Sequence, residues 1–211
     1  PIIWGDQIFI LSAVETDKEG KPVEKKESSR HGRGMPTVKT TKIHKYAIFA
    51  INRNDSKILW QHIVKEELPH EGTHQFGSWA SNSPITDGQH VYAYFGSRGL
   101  FCFDMQGNLK WERDFGQMTK RLTFGEGSSP ALHGDKIVVN WDHEGQSFII
   151  ALDKKTGKDI WKVDRDEFTS WATPIIVEVN GKHQVITSAT SLIRSYDLDT
   201  GKMIWECDQP F

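Results

Sequence analysis

Short apolar runs of four to seven residues recur along the chain, separated by polar turns rich in Gly, Asp and Asn. No window sustains a 3.6-residue apolar period, so helices are not expected. Residues 129–133, 137–142, 148–153 and 160–163 read as four strands. They are broken by Gly134-Asp135, Glu144-Gly145-Gln146 and Lys155-Thr156-Gly157-Lys158. The same four-run unit precedes this one, with breaks at Asp87-Gly88, Ser97-Arg98-Gly99 and Gln106-Gly107-Asn108. It follows again with breaks at Asn180-Gly181, Thr190-Ser191 and Asp199-Thr200-Gly201. Asp-Gly and Asn-Gly suit tight hairpins because Gly and Asn accept positive φ.

Each unit ends on a Trp. Segments starting at Ala50-Ile51-Asn52, Phe103-Asp104, Ala151-Leu152-Asp153 and Tyr196-Asp197 align without gaps on Trp60, Trp111, Trp161 and Trp205. Pro1, Pro84, Pro130 and Pro174 keep the same beat by opening an apolar stretch in each unit. A repeat of 40–50 residues belongs to propellers or helical arrays, and the strand pattern selects the propeller. The fold class is therefore all-β: a β-propeller of four-stranded antiparallel blades, with four repeats at about 1–65, 78–114, 124–164 and 168–208. The first repeat predicts strands at 1–4, 8–14, 46–52 and 58–64. Between its second and third strands lies a polar insertion over 16–43, read as a long loop.

Composition narrows the function. The 211 residues carry a formal net charge of -2, and no basic face marks a nucleic-acid binder. No apolar run approaches the ~20 residues of a membrane span. Two Cys cannot build a disulfide framework or a Cys-rich zinc site.

Asp153-x-x-Thr156-Gly157-x-x-x-Trp161 and Asp197-x-x-Thr200-Gly201-x-x-x-Trp205 resemble the tryptophan-docking motif of quinoprotein-type propellers. The match weakens in repeat 2, with Gln106-Gly107-Asn108, and in repeat 1, with Asn54-Asp55-Ser56. The chain is similar to the bacterial PQQ-binding-like β-propeller repeat proteins. That group includes the scaffold lipoprotein of the outer-membrane assembly machinery and is related to the quinoprotein alcohol dehydrogenases. In such a motif the Trp buries a large face on the next blade and its indole N–H seeks an acceptor. Trp60, Trp111, Trp161 and Trp205, with Thr156, Gly157, Thr200 and Gly201, are thus expected to hold blades together rather than to catalyse. The resemblance also implies a ring of seven or eight blades, so that four repeats would be a fragment, one of two chains completing a ring, or else a compact four-bladed ring; a fragment is the favoured expectation, with self-association through open blade faces. It implies export to the periplasm or the cell exterior.

Antiparallel order puts the tight turns on one end of the propeller. The 16–43 insertion, the connectors 65–80, 116–127 and 165–171, and the loop 142–146 fall on the other. Function concentrates on such loops. The candidate binding face comprises His70, Glu71, His74, Arg98, Trp141, Asp142, His143, Arg165 and Trp171. His70-Glu71-Gly72-Thr73-His74 matches H-E-x-x-H, but Pro69 and Gly72 deny it the helix that a zinc hydrolase needs. A loop metal site using His70 and His74 with His143 or Glu71 remains the less constrained reading. Asp142-His143 suits acid–base work or a structural loop. Arg165 and Trp171 suit an anion, a carbohydrate or a peptide, or else an interblade ion pair and a core Trp.

The quinoprotein dehydrogenases carry a vicinal Cys pair above the quinone. Here Cys102 and Cys207 are singletons, and no cofactor ligand transfers. No cofactor is expected; PQQ with calcium belongs only to the alternative reading of a partial oxidoreductase. The leading expectation is a non-catalytic scaffold or binding module presenting its loop-rich face to a protein or small ligand.

Overall fold

The computed structural model describes residues 1–21 and 37–208. Four four-stranded antiparallel sheets follow one another along the chain. Blade 1 contains β1 (Ile2–Trp4) and β2 (Gln7–Glu19); the short β3 (Thr37–Val38) interrupts it before β4 (Lys42–Asn52) and β5 (Ile58–Glu67) complete it. After β6 (Thr73–His74), blade 2 comprises β7 (Ile85–Thr86), β8 (His90–Tyr94), β9 (Leu100–Asp104) and β10 (Leu109–Arg113). Blade 3 is β11 (Ala131–His133), β12 (Lys136–Trp141), β13 (Ser147–Asp153) and β14 (Asp159–Arg165). Blade 4 is β15 (Ile175–Val179), β16 (Lys182–Ser188), β17 (Leu192–Asp197) and β18 (Met203–Asp208). These are propeller blades.

The cores lie between blades. Alternation along β2 and β4 puts Phe9, Leu11, Tyr46, Ile48 and Ala50 on one face, against Val91, Ala93, Phe101 and Phe103 of blade 2. The other face of blade 2 packs Tyr92, Tyr94, Leu100 and Cys102 on Ile137, Val139 and Ile150 of blade 3. Val138, Ile149 and Ala151 then meet Val185 and Tyr196 of blade 4. Burying a side chain such as Phe9 or Ile48 contributes roughly 1.5–3 kcal/mol.

At the outer edge each junction repeats one contact. Trp60 Nε1 donates to Met105 O at 3.0 Å, Trp111 Nε1 to Lys154 O at 3.0 Å, and Trp161 Nε1 to Leu198 O at 2.9 Å. Each ring lies on a left-handed glycine of the next blade: Gly107, Gly157 and Gly201. The turns are tied from within. Asp153 Oδ1 accepts from Thr156 N and Oγ1 at 2.8 and 2.7 Å, and Asp197 Oδ1 does the same for Thr200 at 2.9 and 2.8 Å. Trp205 is 39% exposed and its indole N–H reaches Gln184 Oε1 of its own blade at 3.3 Å. The matching turn of blade 1 has Ser56 in the left-handed position, φ 60.

The sheet of blade 1 extends into the expected insertion. Residues 16–19 and 42–43 belong to β2 and β4, and Thr37–Val38 pairs with Thr73–His74. Residues 22–36 of the insertion lie outside the described residues. The extension is held by polar cross-strand contacts rather than apolar burial: Thr16 Oγ1 donates to Ile43 O at 2.8 Å, and Lys42 pairs with Glu19 at 2.6 Å. A hydrophobic alternation has nothing to register there.

A half-buried tie also crosses the tight-turn end. Asp87 sits 2.8 Å from Lys154 Nζ of blade 3 and accepts from Gln89 N and His90 N at 3.0 and 2.8 Å. Burial pushes its carboxyl up, but Lys154 and the backbone donors outweigh this and hold it down at about 2. Its folded value lies below the unfolded one, near ~3.9. Its contribution is therefore full above ~pH 4 and is lost as pH falls through about 2. Stability measured from pH 5 to pH 2 is expected to fall less steeply in Asp87→Ala than in the wild-type chain. Parallel curves would show that the tie contributes nothing.

Candidate binding face

The connectors and second-to-third loops converge on one end of the four blades. Most of the polar side chains there are committed to one another. Arg98 ends a 3₁₀ turn, Gly96–Arg98, and is 4% exposed. Its Nε donates to Glu67 Oε1 at 3.1 Å, its guanidinium stacks 4.8 Å from the Tyr46 ring centroid, and Nη1 lies 3.6 Å from Glu126 Oε1. Glu126 accepts in turn from Ser97 N at 2.6 Å. His70 Nε2 donates to Met118 O at 2.8 Å, and Glu71 Oε2 accepts from Lys120 N at 2.9 Å. The cavity among His70, Glu71, Trp79, Arg98 and Glu126 measures about 10 Å³, room for one water-sized group.

The Asp142 and His143 pair divides. Asp142 is 1% exposed and takes Arg165 bidentately, at 2.9 and 3.1 Å. Arg165 Nη1 also donates to Thr187 Oγ1 and Tyr196 Oη of blade 4, at 2.9 and 2.6 Å. The ion pair expected between blades therefore closes within blade 3, and Arg165 reaches blade 4 only through two neutral hydroxyls. His143 Nδ1 accepts from Thr119 N at 3.1 Å and Gly145 N at 3.3 Å, so Nε2 carries the proton and donates to Gln146 O at 3.2 Å. Burial lowers its pKa, in keeping with a neutral ring that closes its loop. Trp141 is 2% exposed and stacked on Phe148 at 5.5 Å, inside the core between blades 2 and 3. Asp142, Arg165, His143 and Trp141 are thus each engaged with neighbouring groups of the fold.

His70 and His74 are not brought together as ligands. His74 lies in β6, where its N–H donates to Phe124 O at 3.2 Å and its Nδ1 accepts from Phe76 N at 3.3 Å. Among the described residues no three His, Cys, Asp or Glu side chains group in a way that could hold a metal ion.

Two features escaped the sequence reading. Lys120, 3% exposed, donates to Asp142 O at 2.6 Å and Ser170 O at 3.0 Å, linking the connectors of blades 2 and 3. Burial lowers its pKa. Nothing in a lone connector Lys signals this. The second feature is a row of rings on the surface. Phe76 packs on His74 (centroids 5.6 Å), His74 on Phe124 (5.0 Å), and Phe124 on Trp171 (6.3 Å). Phe76 is 87% exposed and Trp171 41%, and Val38 of β3 is open beside them. Trp171 is anchored by Nε1 donating to Gly125 O at 2.9 Å. Of the residues singled out in the sequence, only His74 and Trp171 join this row. Leu122 and Thr123, just before Phe124, both hold left-handed backbone, φ 58 and 53. Such residues cost about 1–3 kcal/mol each, and they persist where surrounding bonds over-determine them. Here Arg121 N donates to Thr169 Oγ1 at 2.9 Å and Lys120 N to Glu71.

The family described as outer membrane protein assembly factor BamB matches residues 34–162 and 111–210. No curated protein sequence matches the chain. Among solved structures, the europium-containing methanol dehydrogenase aligns over 95% of this chain and 44% of its own, at 12% identity and TM-score 0.55. The quinohemoprotein alcohol dehydrogenase of Comamonas testosteroni aligns over 83% and 35%, at 14% identity and TM-score 0.54. That of Pseudomonas putida HK5, ADHIIG, aligns over 82% and 33%, at 12% identity and TM-score 0.51. The chain spans about a third of the two alcohol dehydrogenases and under half of the methanol dehydrogenase. At these identities the likeness is one of fold.

Proposed function

We propose a protein-binding role for this chain, which belongs to the family of the outer membrane protein assembly factor BamB. On this reading it is a non-catalytic propeller module that holds a protein partner on its connector face, in the periplasm or outside the cell. One observation carries the proposal. Asp142, His143 and Arg165 on that face are tied into buried networks, whereas a row of aromatic rings stands open, led by Phe76 at 87% exposure. An exposed apolar patch bordered by polar residues suits a protein interface. None of the helical turns among the described residues is long and apolar enough to cross a membrane.

A photo-crosslinking residue placed at Phe76 is expected to capture a discrete protein in the host cell. The same residue at Lys155, exposed in a tight turn at the opposite end, is expected to capture none. Equal capture from both positions, or none from Phe76, would overturn the proposal.

PQQ with calcium belongs to the competing reading, a partial oxidoreductase. Cys102 is buried in blade 2 and Cys207 exposed in blade 4, so they form no vicinal pair. Adding PQQ and calcium is accordingly expected to change neither the quinone absorbance nor dye reduction with alcohols. Saturable binding would reopen the oxidoreductase reading.

A further inference from the structure

The row of rings beside β3 has a shape and a charge that point to one kind of occupant. Its planes are inclined to one another, by 53° between Phe76 and His74, 85° between His74 and Phe124 and 36° between Phe124 and Trp171. A sugar or a nucleobase stacks on a flat face. Inclined rings instead leave clefts that suit the branched and aromatic side chains of a peptide. The row is also held in place. β6 pairs with β3, His74 N bonds Phe124 O, and the Trp171 indole bonds Gly125 O. Among the described residues β3 pairs with β6 alone, and a sheet edge of this kind is the surface on which extended segments pair.

Charge supplies the second, independent observation. Lys39 follows β3 directly, and its Cγ stands 3.4 Å from where a Cβ on Gly72 would lie. Arg121 stands three residues before Phe124. Both are exposed, and neither forms an ion pair among the described residues. Three acids of the same face are engaged elsewhere: Glu71 with Lys120 N, Glu144 with Thr169 N and Glu126 with Ser97 N. The row is therefore flanked by cations whose charge is not met within it, and like charge on a partner would be repelled.

We propose that Phe76, His74, Phe124 and Trp171, flanked by Lys39 and Arg121, bind an extended acidic segment of a protein partner that carries apolar or aromatic side chains between its carboxylates. This rests on the protein-binding reading above and names the chemistry of what is bound.

The probe is an acetylated octapeptide alternating Glu with Phe and Val. Two companions replace Glu by Lys, or the apolar residues by Ser. In an amide NMR titration of the full chain, the acidic apolar peptide is expected to shift residues 37–39, 72–76 and 121–125 first. Its affinity should exceed that of either companion by about tenfold or more. Phe76→Ala should weaken it by about tenfold, and because Phe76 is 87% exposed the fold has little to lose. Lys39→Glu with Arg121→Glu should turn the preference toward the Lys peptide. Equal binding of all three peptides, shifts centred elsewhere, or an unchanged affinity in Phe76→Ala would overturn the proposal. An oligosaccharide of alternating uronic acids shifting the same residues more strongly would overturn it in favour of a glycan. If crosslinking from Phe76 captures a protein while the peptide preference is absent, the acidic-segment proposal fails and protein binding stands.

Discussion

Asp142→Ala is expected to lower the stability of the chain by about 3–5 kcal/mol, the cost of leaving one member of a buried ion pair alone. The side chains of Asp142 and Arg165 are both wholly buried, and two bonds of 2.9 and 3.1 Å join them. Arginine cannot shed its proton to escape. Removing the carboxylate leaves a guanidinium whose remaining partners, Thr187 Oγ1 and Tyr196 Oη, are neutral. Asn140 Nδ2, which donates to Asp142 Oδ2 at 3.0 Å, loses its acceptor as well. Urea unfolding should show a lower midpoint at unchanged slope. The double variant Asp142→Leu, Arg165→Met should lose less than Asp142→Ala, since it removes the orphaned charge. A loss below ~1 kcal/mol in Asp142→Ala would mean that water already reaches the pair.

Gly157→Ala is expected to cost about 3 kcal/mol, summed from left-handed backbone strain, a displaced indole and its lost hydrogen bond. Gly157 has φ +68, and a Cβ on it would stand 2.6 Å from Trp111 Cε3. The ring cannot simply retreat, because its Nε1 is bonded to Lys154 O in the same turn at 3.0 Å. Gly134→Ala is the control: its φ is +58, but a Cβ there meets nothing within 4 Å. It should cost only the backbone term, roughly 1–2 kcal/mol. Thermal unfolding of the two variants therefore separates strain from contact. Equal losses would show that the Trp111 contact adds nothing.

The two experiments probe different levels of organisation. The docking turns repeat along the chain, and a repeat is visible in one dimension. The Asp142–Arg165 pair occurs once and joins residues 23 positions apart. Spacing alone does not separate it from a ligand site; the meeting of the two side chains does. The aromatic row is further from view. Phe76 and Phe124 sit in different connectors, and no motif links them. Only the β3–β6 pairing and the left-handed turn at Leu122 and Thr123 bring their rings to either side of His74.

Strand order and antiparallel blades followed from the sequence by itself, because short apolar runs and Gly-bearing turns are local properties of a chain. Its limits were polar. The ends of β2 and β4 beyond Val14 and before Tyr46 are held by side-chain hydrogen bonds and ion pairs, which leave no apolar period to read. Which polar groups on the connector face are spent on one another, and which rings are left to meet a partner, was decided by the tertiary structure alone. Those contacts arise between segments 20 to 50 residues apart, such as His143 with Thr119 and Lys120 with Ser170, and depend on how neighbouring blades set their loops side by side.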